Sequence, residues 1–164
     1  MRLSDWRSRS PHRDAMGPKV MAAVEPVLAA LGSEPDPRCW VVWGDDPAIR
    51  YLVLVPSPAG LIELHVRVNA AGEGPRVAGK LVRWSRVSVG DLSVEGTAAH
   101  RLVLFQAQGQ VLNAPDELGD DIAAFALELF AAMDGRPAPV PKPAARARRA
   151  SAPKAAKAPS DRGG

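Results

Sequence analysis

Cysteine is nearly missing from this 164-residue chain. Lone Cys39 excludes an internal disulfide and, with no second cysteine, a zinc finger. Only three histidines occur, His12, His65 and His100, and none has a second histidine or a carboxylate at ligand spacing on a helix. No metal site and no cofactor are therefore expected. No run approaches the roughly 18 apolar residues that a membrane span needs, and the N-terminal arginines have no apolar stretch behind them to make a signal peptide. No serine sits in a G-x-S-x-G elbow. A cytoplasmic protein without membrane attachment is the expectation.

Charge is present but unevenly placed. Residues 136–164 carry eight basic groups against one acidic, a net +7, while residues 1–135 carry thirteen basic against seventeen acidic, a net −4. The high isoelectric point thus belongs to the tail and says nothing about the folded surface. Residues 1–10 read as a loose polar arm, 11–135 as one domain, and 136–164 as a disordered tail rich in Ala, Pro, Lys and Arg. A domain of about 125 residues buries roughly two-thirds of its unfolded surface, enough for a proper core.

Within that domain, Ser10-Pro11 offers a helix start, and Met16, Val20, Ala23, Val24, Val27 and Leu31 mark one helical face. Pro26 should kink or interrupt the helix, and Gly32 is placed to cap it. Cys39–Gly44 is β-rich and is closed by Asp45 and Asp46 as turn formers before Pro47. The strongest pattern is Ile49–Asn69. Here Ile62, Leu64, Val66 and Val68 alternate with Glu63, His65, Arg67 and Asn69 after a Pro/Gly loop at 56–60, which predicts a hairpin with one half-buried strand. Residues 70–79 are short of apolar anchors and read as a mobile loop. Lys80–Val89 reads as a strand whose phase changes, with a bulge or bend at Ser85-Arg86. Leu92–Glu95 is a short strand, and Arg101–Leu112 a long one bent at Gly109. The closing helix is capped by Asn113 and begun by Pro115. Asp116, Glu117, Asp120 and Asp121 lie at its positive end, with a stripe of Leu118, Ile122, Phe125, Leu129 and Met133.

These elements predict an α+β fold. An antiparallel sheet of about six strands, strongly curved or an open barrel, is flanked by an N-terminal and a C-terminal amphipathic helix and followed by the basic tail. Pleckstrin-homology-like open barrels share the order of strands then capping helix, and helix-grip folds place a long C-terminal helix on a curved sheet. No residue motif here is specific to either.

Several segments invite a chemical reading. Gly74–Lys80 matches G-x-x-x-x-G-K, but Leu81 stands where a P-loop needs Ser or Thr for Mg²⁺, and strand rather than helix follows. Cys39 in an apolar run beside Trp40 reads as an inert buried thiol. Lys80, Trp84 and Arg86 would project together from a regular strand and could stack a base between cations. Glu63, His65 and Arg67 share one strand face. Lining a cavity, they would supply an acid–base pair with an anion anchor; exposed, they are a solvated strand face.

The tail residues Lys142, Arg146, Arg148, Arg149, Lys154 and Lys157 are spaced cations on a chain with no apolar anchor beyond Val140. In composition the tail resembles the C-terminal tails of linker histones and of linker-histone-like bacterial proteins, which implies sequence-independent attachment to nucleic acid. The plain alternative is a solubilising tail of biased composition. Arg148-Arg-Ala-Ser151 would suit a basophilic kinase, whose phosphate would weaken polyanion binding. The sequence thus predicts a small non-enzymatic binding module with a polyanion-binding tail, with the sheet or first helix open to a protein partner or a second copy. Its alternative is a ligand-binding or catalytic cavity between sheet and C-terminal helix, built on Glu63, His65 and Arg67.

Overall fold

The computed structural model describes residues 2–5, 17–46, 48–70 and 72–135. Helix α1 spans Pro18–Ala30 and helix α2 spans Asp116–Met133. Between them run β1 (Val41–Asp46), β2 (Arg50–Ser57), β3 (Gly60–Arg67), β4 (Arg76–Arg83), β5 (Val89–Gly96), β6 (Arg101–Ala107) and β7 (Gln110–Pro115). The start at Ser10-Pro11, the first stripe residue Met16 and the whole basic tail lie outside the described residues.

All strands pair antiparallel, but they form two separate sheets, β1-β2-β3-β4 and β5-β6-β7. Neither curves into or closes as a barrel. This corrects the expected single curved or open-barrel sheet of about six strands. The cause lies at 84–86, where β4 stops at Arg83 and a 3-10 turn, Trp84–Arg86, leads into β5. The phase change in the sequence, read as a bulge within one strand, is the break between sheets. Because the turn rotates the chain, Val82 before it, Trp84 at its start and Val87 and Val89 after it all pack against the same core.

Pro18 opens α1 and Gly32, at φ +83°, follows its end. The helix runs through Pro26 without a break; that ring sits on the exposed side, away from the buried Val20, Met21, Val24 and Leu28. Those four pack on Tyr51, Val53, Val55, Ile62, Leu64 and Val66, one face of the first sheet. The opposite face supplies Val41, Leu52, Leu54 and Leu61 to a second core, which it shares with Val103, Phe105, Ala107 and Leu112 of the second sheet and with Ile122, Phe125, Ala126 and Leu129 of α2. Phe105 makes edge-to-face contacts with Phe125 (centroids 6.3 Å apart) and Phe130 (5.7 Å).

Three further expectations are corrected. Residues 76–79 belong to β4 rather than to a mobile loop. A Cβ on Gly79 would lie 2.5 Å from Val27 Cγ1, so its glycine lets α1 approach the sheet. Arg101–Leu112 is not one strand but the β6–β7 hairpin, turned at Gln108 and Gly109, whose φ values of +51° and +75° are those of a type I′ turn. Asn113 sits in β7, and α2 begins directly at Asp116.

A second close approach fixes α2. A Cβ on Gly119 would lie 2.7 Å from the Ala114 carbonyl oxygen and 2.8 Å from Val103 Cγ2. Alanine would improve intrinsic helix propensity by about 1 kcal/mol, yet the carbonyl cannot yield without moving β7. Gly119→Ala should therefore destabilise the fold by roughly 1–3 kcal/mol in urea denaturation, the reverse of the propensity effect.

Candidate ligand face

Directly opposed residues on antiparallel strands point to the same side, so the register of the first sheet resolves its inner face into rows. Leu61 opposes Val82 and Pro56; Glu63 opposes Leu54 and Lys80; His65 opposes Leu52 and Ala78; Arg67 opposes Arg50 and Arg76. Along β3 the second core covers Leu61 and Glu63 and stops, though on β2 it still buries Leu52 opposite His65. Leu61 is fully buried and Glu63 is 5% exposed, whereas His65 and Arg67 are exposed. The three residues singled out on β3 do share a face, with Glu63 under the second core and His65 and Arg67 exposed.

Glu63 marks the boundary and has its own partners. Gln108 Nε2 donates to Glu63 Oε1 at 2.8 Å, and Lys80 Nζ lies 2.9 Å from Oε2. Gln108 also accepts from the Ser88 backbone N–H through Oε1 (2.7 Å) and donates its own backbone N–H to the Ser88 carbonyl (2.8 Å). One side chain at a left-handed turn position thus joins β3 of the first sheet to the second. Such a backbone conformation costs a non-glycine residue on the order of 1 kcal/mol, and these bonds hold it there. With Phe105, Phe125 and Phe130 in the adjoining core, the domain contains a buried charged and aromatic cluster.

The other singled-out residues separate. Lys80 is committed to Glu63, Trp84 begins the 3-10 turn and is half-buried against the second core, and Arg86 is exposed. They do not stand together on a regular strand. Cys39 is half-buried, and burial together with the nearby Glu128 carboxylate pushes its thiol well above the usual range, so it stays protonated. Burial likewise raises the Tyr51 phenol, on the α1 side of the sheet. No group of three or more His, Cys, Asp and Glu side chains among the described residues could hold a metal ion. No helix among them is long and apolar enough to cross a membrane. A shallow cleft lined by Pro18, Val20, Val68, Gly74 and Pro75 opens at the start of α1, and the β3 polar residues take no part in it. The tail cations Lys142 to Lys157 lie outside the described residues.

Three residues important to this face were missed in the sequence. Arg50 and Arg76 enter it only through register. Gln108 enters only once the chain between Ala107 and Gln110 is seen as a turn. No protein-family model, curated protein or solved structure matches the chain.

Two predictions test this geometry. Gln108→Ala removes the inter-sheet bonds and leaves a buried carboxylate with Lys80 alone. It should cost about 2 kcal/mol in urea denaturation, whereas Lys80→Ala, at an exposed ammonium, should cost less. Asp116 accepts the Arg101 backbone N–H at 3.1 Å and meets His100 Nδ1 at 3.0 Å; first the backbone bond and then the histidine hold its carboxyl below the usual range. A depressed folded value means stability present above the unfolded pKa of about 3.9 and lost as pH falls through the folded value. Thermal unfolding of Asp116→Asn should accordingly differ from wild type at neutral pH and converge with it in strong acid.

Proposed function

We propose that this chain is a small binding module, and that its ligand meets the uncovered half of the inner face of the first sheet around His65 and Arg67. The carrying observation is the burial boundary on β3: the face is closed at Leu61 and Glu63 and open two residues later. Binding is favoured over catalysis because Glu63, the one buried carboxylate among the described residues, spends an oxygen each on Gln108 and Lys80. A general base must come within hydrogen-bond reach of the substrate proton, and Glu63 is buried at 5% exposure between those two partners.

The tail supports a second, additive role. Its eight cations against one acid suit loose attachment to nucleic acid; about six or seven phosphate contacts would give a salt slope of roughly −5 to −6 on duplex DNA.

The face is tested by titrating isotope-labelled full-length protein with a panel of nucleoside phosphates, oligonucleotides and acidic peptides, followed by amide NMR shifts. Shifts should centre on the exposed His65, Arg67 and Ala78. His65→Ala should weaken binding about tenfold, roughly 1.4 kcal/mol, with folding stability changed by no more than about 0.5 kcal/mol. Shifts confined to α1 or to the outer face of the second sheet would overturn the assignment.

A further inference from the structure

Arg50, Arg67 and Arg76 oppose one another directly across β2, β3 and β4. All three are exposed on one face, and neighbouring strands lie about 4.8 Å apart. Three guanidinium-bearing positions are thus ranked over roughly 10 Å. Like charges directly opposed across a sheet are destabilising, and the usual remedy is an interleaved carboxylate. Among the described residues none pairs with any of the three. Asp46, opposite Arg50 at the edge of the row, accepts the Ala48 backbone N–H instead. The nearby Glu63 lies two rows inward of the arginines, beyond His65, and is already bonded to Lys80 and Gln108.

The charge of the fold is split in the same sense. Residues 84–135 carry two basic against eight acidic groups, whereas residues 17–83 balance at seven of each. The arginine row therefore sits on the half of the domain that does not repel an anion. One row inward lie the exposed His65 ring and the half-buried Trp43, whose indole N–H donates to the Val111 carbonyl at 3.2 Å.

We propose that the Arg50–Arg67–Arg76 row is a contact site for the phosphate backbone of single-stranded nucleic acid, with the His65 ring as a base-stacking neighbour. The proposal rests on the reading of this face as the ligand face and names the ligand class. Guanidinium pairs bidentately with phosphate, and a ranked series suits a polymer with regularly repeated charge. Cations with adjoining rings form the usual single-strand platform. The cationic tail of the same chain would engage another stretch of the same polymer, raising avidity through effective concentration.

The test is fluorescence anisotropy of a labelled single-stranded oligonucleotide with the full-length protein over a salt series. It compares wild type, the triple variant Arg50→Gln/Arg67→Gln/Arg76→Gln, and a tail variant with Lys142, Arg146, Arg148, Arg149, Lys154 and Lys157 changed to Gln. The triple variant should flatten the slope of log affinity against log salt by about 2, three contacts at about 0.7 each, and weaken binding at least about tenfold at low salt. Its thermal stability should match or exceed wild type, since repulsion is removed. An unchanged slope overturns the proposal, as does equal competition by polyglutamate, which would assign the row to an acidic protein. In wild-type protein the Arg50, Arg67 and Arg76 resonances must move with the oligonucleotide; shifts confined to residues 136–164 also overturn it, whether or not the variants fold. Shifts at His65 with an uncharged ligand, alongside an unaffected triple variant, would end this proposal and leave the ligand face standing.

Discussion

The first sheet has to be covered twice. From Tyr51 to Val55 and from Leu61 to Leu64, both faces of the two central strands are buried. Leu52, Leu54 and Leu61 on the inner face would each forfeit about 1.5–3 kcal/mol if left in water. A single helix covers one face, so the chain must bring a second layer to the other. That requirement explains why β5–β7 leave the first sheet. A fifth strand added at β4 would extend the sheet and still leave its inner face bare. The 3-10 turn at Trp84–Arg86 instead carries the second sheet and α2 to that face, with Val82, Trp84, Val87 and Val89 lining the seam.

Along β3 coverage ends at a polar residue rather than an apolar one, and this gives the face its character. Glu63 takes the last covered position on β3, where a carboxylate alone would suffer desolvation. Gln108 and Lys80 relieve that cost from opposite directions, one from the second sheet and one from the neighbouring strand. The bridge also sets the separation of the layers at this end, because Gln108 is tied to Ser88 by both side chain and backbone. Beyond it β3 and β4 continue for two more rows with exposed inner-face residues, while Leu52 and Trp43 in the first of those rows still meet the second core. An open, rigid strand surface bordered by a satisfied charge cluster is suited to contact with another molecule, since the positions of His65 and Arg67 are set by the ladder beneath them.

Periodicity made the elements legible, and turn chemistry hid their arrangement. Both helices and the β2–β3 hairpin are readable because their stripes are long, but of the expected α2 stripe only Ile122, Phe125 and Leu129 are buried, while Leu118 and Met133 at its ends are exposed. A turn at Gln108-Gly109 is not legible because glutamine seldom takes the left-handed first position of a two-residue turn, where Asn or Asp is usual. Its compensation is a long-range bond to Glu63, which no local pattern reveals. The Ser57–Gly60 turn leaves only Pro58 and Ala59 between paired residues. Reading 56–60 as a loop put Arg50 out of step with Arg67 and concealed the arginine row. Partial covering of the β3 face was also hidden, since alternation tells which residues share a side but not where the covering layer stops.

The unpaired row bears on why the face has this composition. A fold selected only for stability would place Glu or Thr at Arg50 or Arg76, where opposite-charge or β-branched cross-strand pairs contribute roughly 0.2–1 kcal/mol each. Retaining three opposed guanidinium groups on one exposed face works against that gain. The same domain tolerates opposite charges elsewhere in close contact: Arg101 pairs with Asp120, and Arg2 lies 3.9 Å from Asp36. Salt-bridge formation is thus within the reach of this sequence, and it is the row at the open end of β2, β3 and β4 that goes without. An anion bound there would supply the missing countercharge and convert a repulsive row into a stabilised one. Ligand and fold stability are then linked through the same three side chains.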